Sequence, residues 1–183
     1  MSREPVAGRL LIASATLQDP NFARSVVLIG MHGPDGALGL VLNRPSTSTV
    51  AEAVPQLAGL VDEDEPLYVG GPVRSSSIVV LCEFTDPEAA GMLVLGRIGL
   101  PAADLDLDRL AETTSRLRIF AGYSGWGESQ LDGELEQGDW IEQDALPDDV
   151  FCHAPEELWS ATLARKGGRY ALIARMPLDP SVN

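Results

Sequence analysis

Apolar residues in this chain fall into short runs of strand length, separated by glycine, proline and polar clusters. "GRLLIASA" (8–15) reads as a strand. "SVVLIGM" (25–31), apolar and rich in β-branched residues, reads as a buried one. "HGPDGA" (32–37) has hairpin chemistry, with Pro34 and Asp35 ahead of Gly36, and "LGLVLN" (38–43) is the returning strand. Arg44-Pro45 is expected to end that strand, because proline has no amide donor for the ladder. Further strands are expected at 67–73 (ending in a turn), 76–84, 89–100, 115–123 and 139–146, and 169–177 is expected to be a strand or extended segment.

Helical signals are fewer. "STSTVAEAVPQL" (46–57) opens with several candidate N-caps and predicts a short helix. The proline and acids at the start of 101–114 suit a helix N-terminus. The segments 128–137 and 154–168 complete the set, the last with Pro155 near its start and Gly167 at its end. An exposed acidic loop is expected at 62–66. Neighbouring strands with helices between the groups predict an α+β fold: a single compact domain over 1–183, with a mixed or antiparallel β-sheet and flanking helices. No repeat or linker divides the 183 residues, a length that suits one domain with a sizeable core.

Charge narrows the function. The formal net charge is −14, with 27 acidic against 13 basic residues and no basic run. Nucleic-acid binders draw most of their affinity from Lys and Arg at phosphates, so direct nucleic-acid binding is not expected. Adsorption to anionic membranes is disfavoured on the same ground. No apolar run reaches the roughly 20 residues of a membrane span, and the first residues lack the hydrophobic stretch of a signal peptide. Two cysteines do not make a secreted disulfide framework. The expected location is the cytoplasm.

The densest chemistry lies in "RIFAGYSGWGESQLDGELEQGDW" (118–140). Gly122, Tyr123, Ser124, Gly125 and Trp126 approach the G-x-S-x-G nucleophile elbow, but tryptophan replaces the last glycine, and only His153 follows as a triad base. An anion cradle is opposed by nine acids between residues 126 and 149 with no Lys or Arg among them. Glu128, Asp132 and Glu136 share a helix face and read as a solvated surface rather than a cation site. Adjacent Cys152 and His153 point to opposite faces on a strand, and Cys82 reads as an inert core thiol. With two Cys, two His and no C-x-x-C, neither a metal nor a cofactor is expected. The corner at 122–126 is expected to be a tight strand-to-helix turn that seats Trp126.

Polar residues and glycines gather at predicted strand ends: Asn21 and Arg24 in "DPNFARS", Asn43 and Arg44 before Pro45, and Gly70 and Gly71 before Pro72. With "YVGGPV", "GYSGWGESQLDGELEQGDW", Phe151 and "LWSATL", these blocks resemble the AlgH/YqgE family of bacterial proteins, in order and over nearly the whole chain. The resemblance implies a compact α+β domain of mixed or barrel-like β-structure. The family's members are largely uncharacterised, and some carry the label of transcriptional regulator. Cys82 stands where relatives often have histidine. The expected function is a non-catalytic binding or regulatory protein acting through a protein or small-molecule partner. Its candidate surface is Asn21, Arg24, Asn43, Arg44, Gly70, Gly71, Tyr123, Ser124 and Trp126, residues that mix hydrogen-bonding groups, aromatic rings and close-approach glycines. The alternatives are a hydrolase-like enzyme using the corner at 122–126, and a regulator linked to transcription.

Overall fold

The structure is a computed structural model that describes residues 4–104 and 106–177. Among these residues ten strands form one curled sheet: β1 (Arg9–Ala13), β2 (Val26–Gly33), β3 (Gly36–Val41), β4 (Pro45–Thr49), β5 (Pro66–Val69), β6 (Val73–Phe84), β7 (Ala90–Leu95), β8 (Ile98–Pro101), β9 (Thr114–Trp126) and β10 (Trp140–Asp144). The main path runs β10-β1-β2-β3-β9-β6-β8-β7, with β5 added beside β9 and β4 beside β5. Among the described residues every pairing is antiparallel except β5 with β9. The far edge strand β7 touches β2 without pairing to it, so the sheet closes into a half-barrel.

Short helices flank the sheet: α1 (Val50–Ala53), α2 (Leu107–Thr113), α3 (Gln130–Gln137), α4 (Pro147–Val150), α5 (Leu158–Lys166) and α6 (Arg169–Ile173). Alternation along the strands divides the core. Leu10, Ile12, Leu28, Leu40, Leu81 and Phe120 pack with Trp159 and Leu163 of α5. Leu11, Val27, Ile29 and Val41 turn the other way, toward Trp126, Trp140 and α3. α5 is anchored at both ends. The Trp159 indole N–H donates to the Ala13 carbonyl at 2.9 Å, and Arg165 makes a two-pronged bond of 2.8 Å per arm to the buried Asp149 carboxylate.

Four sequence expectations change. The 89–100 run is not one strand but the β7–β8 hairpin, turned at Gly96 with φ +56°. The 46–57 helix is preceded by β4, which begins at Pro45. Proline is tolerated as a first strand residue, so Pro45 opens a strand beyond the point where β3 stops. Helix α1 is then capped by Thr49 and Glu52, each side chain bonding the other's amide. Most of 169–177 is helix α6 and a turn, set off by positive φ at Gly167 and Gly168; a short apolar run carries no period long enough to separate helix from strand. The strand-to-helix corner does not exist at 122–126: β9 continues to Trp126, and Gly122 (φ +71°) is a kink inside it.

Candidate functional site

The kink in β9 is where the strand changes partner. Before it, Phe120 and Ala121 pair with Tyr68 and Val69 of β5; after it, Ser124, Gly125 and Trp126 pair with Gly39, Leu38 and Ala37 of β3. Gly70 stands at the junction. Its amide donates to Ala121 O at 2.9 Å, and its carbonyl accepts from Val41 N at 2.9 Å and from the Ser124 hydroxyl at 3.1 Å. The backbones approach so closely that a Cβ on Gly70 would strike the Gly122 carbonyl, and one on Gly71 would strike the Tyr123 carbonyl. Glycine is needed here for contact distance at Gly70, and for both contact and conformation at Gly122.

The other strand-end residues hold backbone. Asn43 accepts from Val26 N and donates to Arg24 O, both at 2.9 Å, extending the β2–β3 ladder through a side chain. Arg44 donates to the carbonyls of Pro20 and Ala23 at 2.8 Å each; burial pulls its pKa down, and Asp19 opposes that. Arg24, itself at φ +55°, donates to the carbonyls of Met176 and Pro177 and lies 4.4 Å from the centre of the Trp159 ring. The exposed Asn21 takes its place from the Asp19 carboxylate, which accepts its amide at 2.8 Å. Phe22 packs against Trp126 and Trp140, whose indole N–H groups both donate to Glu134 Oε2 at 2.8 Å. Glu134 is therefore turned inward.

The candidate residues do not share one surface. Asn21, Arg44 and Gly71 line a hollow of only about 60 Å³. Trp126 borders the β2–β3 hairpin. Ser124 is fully buried, and its proton is committed to Gly70 O; His153 lines a different cleft. Tyr123, just past the kink, lines a concave cavity of about 170 Å³ inside the half-barrel.

That cavity was not visible in the sequence. Its walls are Leu28 and Gly30 of β2, Leu38 and Leu40 of β3, Val79 and Leu81 of β6, Met92 and Val94 of β7, Leu100 of β8, and Tyr123. It is the unfilled end of the core that packs under α5. Its depth is sealed by Leu81 (1% exposed), and its mouth is open at Met31 (46%) and Leu38 (39%). Gly30 leaves room in the wall: a Cβ there would meet only ordinary contacts, the Leu38 carbonyl at 3.8 Å and Val94 Cγ2 at 4.0 Å. Among the described residues no group of three or more His, Cys, Asp or Glu side chains is placed to hold a metal ion. Burial pushes the Cys82 thiol up to about 12.

The profile of the AlgH-like family matches residues 10–171. The chain belongs to the AlgH-like family. Relatives named UPF0301 protein include one from Mycobacterium ulcerans, 42% identical over 97% of this chain and 90% of its own length, and one from Mycobacterium tuberculosis, 41% identical over the same shares. A crystal structure of a Corynebacterium diphtheriae protein superposes with a TM-score of 0.85 at 29% identity, covering 95% of this chain and 94% of that one. The solution structure of the AlgH protein from Pseudomonas aeruginosa gives 0.73 at 31% identity and covers 98% of both chains. The blocks that place this AlgH-like chain in its family have visible work in the fold: "YVGGPV" and "GYSGW" meet at the Gly70–Gly122 junction, and "DPNFARS" is tied down by Asn43 and Arg44.

Proposed function

We propose that this AlgH-like chain is a non-catalytic binding protein of the cytoplasm, whose ligand is a small molecule with an apolar ring or short chain that enters the half-barrel cavity. The observation that carries this reading is the cavity itself. It is concave, of about 170 Å³, and walled by aliphatic side chains, methionine and one tyrosine, where a filled core would be expected. A dry apolar cavity of about 150 Å³ is known to hold a benzene-sized guest. The burial of Ser124 supports binding over serine hydrolysis, since its oxygen has no path to a substrate. Arg24 and Arg44 each hold two backbone carbonyls, and the chain carries no basic run, which supports an indirect route for any effect on transcription. Among the described residues no helix is long and apolar enough to cross a membrane.

The test compares small molecules extracted from the purified wild-type chain and from Gly30→Leu, whose side chain is expected to occupy the cavity. An apolar compound enriched near one equivalent on the wild type and absent from the variant is the expected result. Identical extracts would refute the reading.

A further inference from the structure

A second cleft, polar and of about 460 Å³, lies near the start of β9, between residues 59–65 and the turn that follows α4. Arg118 lines it, with its side chain only 7% exposed. Nη1 donates to the carbonyls of Val150 at 3.2 Å and Cys152 at 3.1 Å, and the guanidinium lies 4.3 Å from the centre of the Tyr68 ring. The other edge of the fork donates no hydrogen bond. Nε is buried without a hydrogen bond, facing Glu65 Oε1 at 3.4 Å in an ion pair, and Nη2 makes no hydrogen bond among the described residues. Burying guanidinium donors without hydrogen bonds costs free energy that a well-placed bound oxygen would recover. The planar fork of arginine matches a carboxylate in particular.

The surrounding charges narrow the ligand. Arg116 is already taken by Glu83 at 2.7 Å and Asp148 at 3.1 Å, and Asp62 also lines the cleft. Two arginines thus stand among four carboxylates, with the exposed His153 at the rim. A simple anion would approach against that excess of negative charge. A ligand carrying both signs would not. We propose that this cleft binds a small zwitterion of the amino-acid class, with its carboxylate on the Nε–Nη2 edge of Arg118 and its ammonium group drawing Glu65, with Asp62, toward itself. Leu60 and Leu117 supply an apolar wall for a side chain. The site is separate from the half-barrel cavity and stands or falls independently of it.

The test is amide NMR of the whole chain titrated with L-leucine and L-glutamine, and with isovalerate and isoamylamine, which each keep one of leucine's charges. At least one amino acid should give saturable shifts confined to residues 59–65, 116–118 and 151–153. Each single-charge analogue should bind about tenfold more weakly, as loss of one charge-assisted hydrogen bond implies. Glu65→Gln, at a partly exposed position, should weaken the amino acid and leave isovalerate unaffected or improved. The absence of saturable shifts with both amino acids, isovalerate binding as tightly as leucine, or unchanged amino-acid affinity in Glu65→Gln would each overturn the proposal.

Discussion

Ser124 shows how far a residue's chemistry depends on its surroundings. In the sequence it resembles a nucleophile between glycines; in the fold it is a buried donor that ties β9 to Gly70. Ser124→Ala should cost about 1 kcal/mol, the worth of one buried hydrogen bond, and Gly70 O keeps its bond from Val41. A shift of the urea midpoint at unchanged slope checks this. The thiols offer a second prediction. Burial raises the pKa of both Cys82 and Cys152, for Cys152 against the opposing charge of Arg118. Neither should react promptly with a disulfide reagent at pH 8, and both should react once the chain is unfolded. The burial of Cys82 was legible from its apolar strand. The partners of Arg24, Asn43 and Arg44 were not: the carbonyls they hold lie up to 153 residues away in sequence, and a local pattern of polar residues at strand ends does not say which backbone it will reach.

Strands that change partner are the least local feature of this fold. The alternating pattern of 115–123 identified β9, but nothing in that pattern says that Gly122 divides a parallel neighbour from an antiparallel one. The same reading put a helix turn where the strand continues, because a glycine-rich stretch signals a change of direction without saying which. Gly70→Ala should destabilise the chain by at least about 3 kcal/mol or prevent folding, since the added Cβ meets backbone that belongs to another strand. Thermal unfolding beside Gly59→Ala, where a Cβ meets nothing within 4 Å, separates this effect from glycine substitution in general. At the β6–β9 ladder, the hydrogen bond from Arg116 holds the Glu83 carboxyl below its usual range. A depressed carboxyl pKa stabilises above the unfolded-state value and loses that contribution as pH falls through the folded-state value. Glu83→Gln should therefore be less stable than the wild type at pH 7, with the gap closing below about pH 4. A constant gap across denaturation curves from pH 7 to pH 3 would contradict it.

Across the whole molecule, the α+β class and the mostly antiparallel sheet followed from strand-length apolar runs and the order of the elements, and the curl of the sheet from the family resemblance. The cavity could not follow from them. It forms where β2, β3, β6, β7, β8 and β9 curl around one volume that their side chains do not fill, and Gly30, which leaves part of that space, is an ordinary strand glycine in the sequence. The candidate set recovered only Tyr123 from its lining, through the motif around the kink. The half-barrel cavity as a binding chamber is the central claim, and methyl NMR of the wild type and Gly30→Leu titrated with toluene tests it most directly. Binding predicts saturable shifts at the methyl groups of Met31, Leu38, Leu81, Met92 and Val94 in the wild type, and their loss in a folded Gly30→Leu. Shifts that are absent in the wild type, or that persist unchanged in Gly30→Leu, would contradict it.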